Sequence, residues 1–500
     1  MGARAAIAGA LILGAALRLY PVWFGLPYAH ARPDETTALG AAVGLLRGDP
    51  NPHFFNWPSL TFYLLAGLFR LAGAVKGTLT TADHFVIART AVALAGTLTI
   101  LFLARIARRT ADDRTAAVSA LFLAVAVLHA RDSHFATVDV LMTMFATACL
   151  MLVLEATADP SPRALMLAGF IGGLAMSTKY SAAPLVLTVM FIRPGALPRP
   201  RDVLLFGVAF GAGFLALTPY AAIDYPQFSR DVGYERLHLA VGHGVDLGRG
   251  WSYHPTRSLP YGLGFGIYAA AIAGVLPWWR RHRRAALPIA AFAVAIFAAV
   301  GMGRTVFFRY IMPLVPIACL SAAIAVTAAS QWLARRIRLS EAVIASALAI
   351  ALAAPSLVTT IRIDRLLART DSRVIAADWL RPMLRPEDTL ADVGGVIGLD
   401  LNGVEFHDWR FDKASATFVN AGERLPDWLV LYDSPLDYAE LDPRMDRLAL
   451  ERYDLAYEVR GVGSARRSLF DPQDAFFLPV FGFSGIDRPG PDVFIYRRAR

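Results

Sequence analysis

Residues 164–192 read ALMLAGFIGGLAMSTKYSAAPLVLTVMFI, and Lys179 is the only charge in that run. A helix needs about 20 apolar residues to cross the hydrocarbon of a bilayer. The run is long for one span and short for two, so its flanks decide. Arg163 precedes it and Arg193 follows it. Basic residues at the borders of apolar runs mark the cytoplasmic side. With both flanks on one side, the chain crosses an even number of times between them. The stretch therefore predicts two short helices meeting near Lys179 at the outer surface. Pro184 supports a break there, because proline lacks the amide that a helix interior needs.

The same reading extends in both directions. Spans are predicted at 5–24, 85–104, 115–130, 138–154, 202–221, 260–278, 285–301, 310–330 and 341–359. The basic clusters Arg105/Arg108/Arg109/Arg114, Arg193/Arg199/Arg201, Arg280/Arg281/Arg283/Arg284 and Arg335/Arg336/Arg338 then all face the cytoplasm. The stretch 59–75 is apolar but contains Arg70 and is followed by Lys76. If it crossed, the Arg105–Arg114 cluster would fall outside, so it reads as an amphipathic helix at the outer interface. The first run begins after Arg4 like a signal peptide, but Arg18 interrupts it and no small-residue cleavage site follows. An uncleaved first helix is expected. The result is an α-helical polytopic membrane protein of about 11 transmembrane helices, with the amino terminus inside. Outer loops cover 25–84 and 222–259, and residues 1–359 form the membrane module. Residues 360–500 form a carboxy-terminal extracytoplasmic α/β domain.

Composition agrees with this division. The 500 residues are 56% hydrophobic and 18% charged, with a mean hydropathy of +0.46; soluble domains carry roughly 25% charge. From residue 361 onward there are 24 of the 40 acidic groups and 19 of the 49 basic ones, a net charge of −5. The preceding 360 residues carry +14. A disordered chain, a cytosolic single domain and a disulfide scaffold are excluded. The basic residues lie between apolar runs and not in a stripe with exposed aromatics, which argues against nucleic acid. Cys149 and Cys319 sit inside apolar runs and read as packing residues. In the tail, residues 372–384 have helical spacing. Trp428–Tyr432, Ala456–Val459 and Val493–Tyr496 read as short strands between turn residues.

Ionisable groups at the edge of a membrane are costly and usually have a role. Arg32-Pro33-Asp34-Glu35 opens an amphipathic helix expected over Thr36–Arg47, where the two acids also suit a helix amino terminus as caps. His53–Leu60 forms an aromatic, proline-containing turn. Asp132, Ser133 and His134 fall in a short outer turn, with Asp139 opening the next span. Lys179-Tyr180 lie in the outer bend, and Arg304 and Arg309-Tyr310 lie just outside a further span. Singly, Asp132 and Asp139 read as caps and Lys179 and Arg309 as snorkelling anchors. Together they place carboxylates and cations from five segments at one surface. A carboxylate can deprotonate an acceptor hydroxyl. Cations, or a metal held by acids, can stabilise a departing phosphate. If that phosphate carries a long lipid, the reaction belongs at this boundary.

The runs LRLYPVWFGLPYAHARPDETTALGAAVGLLRGDP (residues 17–50) and HFFNWPSLTFYLL (residues 53–65) resemble the opening of bacterial GT-C superfamily membrane glycosyltransferases. The resemblance is to the branch that holds protein O-mannosyltransferases and the aminoarabinose lipid A transferase. ARDSHFATVDVLMTMF, GLAMSTKYSAAPL and RYIMPLVP are similar to later blocks of that group, and IDRPGPDVFIYRR to the ending of some bacterial members. The likeness spans residues 10–330, more loosely beyond. It implies a sugar transferred from a polyprenyl-phosphate donor to an acceptor hydroxyl on the outer face of a bacterial inner membrane. The acceptor would be a lipid, a glycan or a protein. It also implies Asp34, Glu35 and Asp139 as catalytic acids, and Lys179 and Arg309 as the cations for the donor phosphate. His53, Asp132, His134, Tyr180 and Tyr310 are candidate substrate contacts. A divalent metal ion stays open, with Asp34 and Asp139 as its ligands if one is used. Asn56-Trp57-Pro58-Ser59-Leu60 departs from the His-Pro-Pro-Leu of the protein mannosyltransferases, so neither a protein acceptor nor a role for His53 follows.

Two other classes are weighed. A lipid or polysaccharide transporter tends to bury ions in broken helices near mid-bilayer and to show internal repeats, and no repeat is evident here. A non-catalytic partner binding glycan or protein would read much like the enzyme. His407 has acidic neighbours but no second histidine or cysteine near it. The spacing of His238, His243 and His254 matches no standard metal-ligand set.

Overall fold

The computed structural model describes residues 2–193, 195–412, 417–419 and 424–499. The chain divides into two compact units, Met1–Val22 with Thr37–Ile361, and Trp23–Thr36 with Arg362–Arg500. Two details differ from the sequence reading. The change-over falls inside the continuous helix Glu341–Leu367. The segment Trp23–Thr36, expected within the first outer loop of the membrane module, belongs to the second unit. Its side chains explain why: Tyr28 donates to the carbonyl of Gly398 at 2.8 Å, Arg32 pairs with Asp474 at 2.8 Å, and Phe24 meets Phe476 edge-on.

The first unit is helical. Among the described residues five helices are long and apolar enough to cross a membrane, or six if the bent pair Gly250–Leu263 and Phe265–Arg281 is one span. Ala3–Leu19, Pro162–Thr178 and Pro200–Ala216 have 17 residues each, about 25 Å of helix and thus at the lower limit for a span. Eleven crossings require these three, the 13-residue helix Asp113–Val125 and the 12-residue stretch Tyr180–Phe191 as well. The bend in 164–192 falls at Lys179, which is extended (φ −154°, ψ 132°) after the helix Pro162–Thr178. The following 12 residues, Tyr180–Phe191, form a 3-10 helix that contains Pro184. The break is therefore at the lysine and not at the proline. A 3-10 helix rises about 2.0 Å per residue, so these 12 residues reach about as far as a 16-residue α-helix. The stretch after the first outer turn is a helix, Leu60–Lys76.

Small residues bring these helices together. A Cβ on Gly169, Gly173 or Gly213 would overlap the carbonyl oxygens of Phe206, Phe210 and Phe170 respectively, so Pro162–Thr178 and Pro200–Ala216 pack backbone to backbone. Arg18 has a structural reason for interrupting the first apolar run. Its guanidinium donates to the carbonyls of Gly14, Ala124 and Leu123 at 2.9–3.0 Å and lies 3.0 Å from His129 Nδ1. Leu123 and Ala124 end the helix Asp113–Val125, which breaks at Ala126. The arginine thus supplies donors to helix-end carbonyls that lipid cannot satisfy.

The second unit is α/β. Its strands are β1 (Thr389–Asp392), β2 (His407–Asp408), β3 (Phe411–Asp412), β4 (Thr417–Phe418), β5 (Trp428–Asp433), β6 (Tyr453–Val459) and β7 (Asp492–Arg498). The main sheet has the order β2-β1-β5-β7-β6. β2, β1 and β5 are parallel and β7 and β6 antiparallel. Central β5 (WLVLYD) is buried over five of its six residues, as its unbroken apolar run requires. Leu429, Leu431, Met445, Ala449 and Tyr496 are among its core. The expected helix over 372–384 forms as Ser372–Leu380 followed by a 3-10 turn, Arg381–Met383.

Candidate active site

In the first unit the site is built around Asp139. Thr137 starts the helix Val138–Ala158 and places Asp139 in its first turn, where the helix dipole favours a carboxylate. The side chain is buried. Lys179, released from helical geometry by the bend, donates from Nζ to Asp139 Oδ1 at 2.6 Å. Arg309 comes from the short 3-10 helix Phe308–Ile311, and its Nε lies 3.8 Å from Asp139 Oδ2. Lys179 also sits over the ring of Tyr310, 4.3 Å from its centroid, and Arg309 over Phe307 at 4.0 Å. Two cations share one carboxylate. Lys179 and Arg309 retain about 15% and 10% of their side-chain exposure, against 2% for Asp139. The acid is thus the most buried of the three.

Loop segments close over this point. Thr218 accepts from the backbone amide of Ser59 and hydrogen-bonds Ser177, two residues before Lys179. Tyr180 donates to the carbonyl of Phe55 at 2.8 Å. Asp231 accepts from the amide of Phe55 at 2.7 Å, and Glu235 from Asn56 at 2.8 Å. Asp231 and Glu235 are four residues apart on the helix Tyr225–Val241, so they share the face that holds residues 55–56. His238 and His243 touch at 3.0 Å. Aromatic contacts run from His243 to Phe307 and from Phe307 to Tyr310, linking the loop to the cation cluster. The i, i+4 spacing of the two acids was the available signal for them, and the sequence reading passed over it.

The other expected residues have different surroundings. His53 is exposed, with φ +49°, and its Nε2 is 2.8 Å from Asp49. That contact, with the amide of Asn51, holds Asp49 below the ordinary carboxylate range. Asp132 and His134 are buried inside the unit. Asp132 pairs with Arg131 at 2.9 Å. The ring nitrogens of His134 face the carbonyls of Arg131 and Tyr20 at 3.0 and 2.8 Å. Both side chains hold the turn after Val127–Asp132 and the end of the first helix. Both are buried, and these contacts are to the protein. Asp34 and Glu35 belong to the second unit. They occupy the first turn of the helix Pro33–Leu45, where Thr36 donates to the carbonyl of Pro33 at 2.7 Å. Asp34 is half-buried and Glu35 is buried. Among the described residues no three His, Cys, Asp or Glu side chains gather as a metal site. The oxygens of Asp139 face Lys179 at 2.6 Å and Arg309 at 3.8 Å.

The sequence profile described as Dolichyl-phosphate-mannose-protein mannosyltransferase matches residues 58–197, which include Asp139 and the Lys179 bend. No curated protein matches the chain in sequence. ArnT from Cupriavidus metallidurans bound to undecaprenyl phosphate aligns over 98% of this chain and 97% of its own, with a TM-score of 0.58 and 17% identity. The apo oligosaccharyltransferase of Archaeoglobus fulgidus aligns over 76% of this chain with a TM-score of 0.54 and 15% identity. This chain spans 58% of that enzyme's length. This multi-pass membrane chain shares its fold with ArnT and with the archaeal oligosaccharyltransferase.

Proposed function

We propose that the protein is a glycosyltransferase that moves a sugar from a polyprenyl-phosphate donor to an acceptor hydroxyl at the outer face of the membrane. The observation that carries this reading is the cluster of Lys179 and Arg309 on buried Asp139. A departing lipid phosphate gains negative charge as the sugar leaves. Cations already oriented in a poorly solvated site stabilise that charge without reorganisation. Asp139 serves as the positioning residue: it offsets the cost of desolvating two cations and holds both in place for the phosphate. The general base is assigned to Asp34, from the resemblance of its loop, with Glu35 beside it. The similar structures of ArnT bound to undecaprenyl phosphate and of the archaeal enzyme in complex with a dolichol phosphate support a lipid-phosphate donor.

In this reading the chain crosses a bacterial inner membrane 11 times, with residues 360–500 outside. The clustering of ion pairs at loop segments favours transfer over transport. The deciding experiment supplies the purified protein in lipid nanodiscs with a panel of polyprenyl-phosphate hexoses and pentoses, together with a bacterial envelope extract that holds lipid, glycan and protein acceptors. Free polyprenyl phosphate is then measured by mass spectrometry. Release from at least one donor, and none from nucleotide sugars, is expected. A folded protein that releases lipid phosphate from no donor would overturn the reading.

A further inference from the structure

The helix that carries Asp139 in its first turn closes at Ala158, about 28 Å from Asp139 at 1.5 Å per residue, which is about the thickness of bilayer hydrocarbon. A second set of cations surrounds that far end. Arg109, Arg280, Arg281, His282, Arg283 and Arg284 line an open cavity of about 430 Å³, together with uncharged residues from the ends of Thr81–Thr110 and Val138–Ala158. None of the lining residues is acidic. The cause is local: Phe265–Arg281 and Arg283–Met302 are joined through the single residue His282 (φ −133°, ψ 34°), so two arginines project from each side of one tight turn.

A general preference for basic residues at the cytoplasmic side accounts for their presence, but not for their convergence. Elsewhere at this end arginines meet acids: Arg108 pairs with Asp113, Arg114 with Glu341, and Arg193 with Asp202. Among the described residues none of the arginines that line the cavity pairs with a carboxylate. Arg281 instead donates to Gln331 at 3.1 Å, and Arg283 stacks over Trp279 at 5.2 Å. Partial burial and the charge of Arg281 lower the His282 pKa below its usual range, against the opposing charge of Asp112, which lies outside the cavity lining. Five guanidinium groups held around one concavity repel one another unless an anion sits among them.

We propose that this cavity binds the phosphate of an anionic phospholipid headgroup from the leaflet at that end. Guanidinium forks match phosphate oxygens in pairs, and basic pockets between helix ends at the cytoplasmic face suit anionic headgroups. A lipid is favoured over free phosphate by the neighbourhood. Trp278 and Trp279 directly precede the arginines, and Trp279 is 41% exposed, as at a membrane–water boundary. An apolar groove of about 450 Å³ between Phe265–Arg281, Arg283–Met302 and Leu314–Ala334 reaches the same turn at Trp278, Trp279 and Ala286, which leaves space for acyl chains. The site is independent of the chemistry at Asp139.

Native mass spectrometry of the full-length protein in detergent tests it, with phosphatidylglycerol, phosphatidylcholine and inorganic phosphate as probes. One phosphatidylglycerol should be retained at least tenfold more strongly than phosphatidylcholine, and millimolar phosphate should not displace it. Near a membrane each basic residue contributes roughly a fivefold factor in binding. The variant R280Q/R283Q/R284Q should therefore lose on the order of a hundredfold. The variant R335Q/R336Q/R338Q removes the same charge outside the cavity and should lose less than threefold. Thr157→Glu, which places a carboxylate on the cavity wall, should also weaken retention and serves if the triple variant does not fold. Equal losses in both triple variants would overturn the proposal. So would equal retention of the two lipids, or displacement by free phosphate.

Discussion

Lys179 and Asp139 are forty residues apart in the chain and 2.6 Å apart in space. One stands at the bend between two short helices and the other in the first turn of a third, so both reach the same depth. Arg309 completes the group from a fourth segment. Lys179→Gln keeps length and some hydrogen bonding but removes the charge. It should raise the donor KM at least tenfold with little change in thermal stability. An unchanged KM would remove Lys179 from donor binding.

Asp139→Ala should behave differently. It leaves Lys179 and Arg309 together without their carboxylate, and removing one partner of a buried charged hydrogen bond costs about 2–3 kcal/mol. A melting temperature lower by several degrees, together with weaker donor use, is expected. Loss of turnover alone, with full stability, would instead make Asp139 a reacting acid.

Asp34→Asn separates capping from chemistry. Asn and Asp rank alike at helix starts, so a capping role predicts near-normal turnover. A general base typically contributes about 10² to 10⁴-fold. Turnover should fall at least a hundredfold in purified, thermally stable protein supplied with a lipid-linked sugar.

The crossing count has its own test. A reporter fused after Arg365 should be active only outside the cytoplasm. Cytoplasmic activity would mean an odd error in the count, and the helix Leu60–Lys76 would be the first to reassign.

In the second unit Asp392 accepts from the amides of Gly394 and Leu399 and from the hydroxyl of Tyr432, at 2.7–2.9 Å. Burial raises its pKa to about 6, with Asp408 adding to the rise against those hydrogen bonds. A carboxyl raised in the folded state binds its proton more tightly there than when unfolded. Its contribution is present below about pH 4 and is lost as pH rises through 6, by about 2–3 kcal/mol. Hydrogen-exchange protection of residues 428–433, corrected for intrinsic rates, should be greater at pH 4.5 than at pH 7. Asp392→Asn should flatten that difference.

Sequence alone determined the features that depend on local charge and hydropathy. A lone lysine in an apolar run between two arginines marked the bend at Lys179, because an uncompensated ammonium is costly inside hydrocarbon. The helical module, the α/β tail and the strands around Trp428 and Val493 were legible for the same kind of reason. Apolar periodicity is a property of neighbouring residues. What touches what was not legible. That Lys179 and Arg309 share Asp139, and that Asp132 and His134 turn inward, depends on how each helix is rotated about its axis. Arg18 is a comparable case: its partners Leu123 and Ala124 lie more than a hundred residues away. The segment Trp23–Thr36 went with the second unit because Arg32 found Asp474 and Tyr28 found Gly398. Such pairings are decided by close packing in three dimensions, where a helix turn of a few tens of degrees changes a partner while leaving the hydropathy of the chain unchanged.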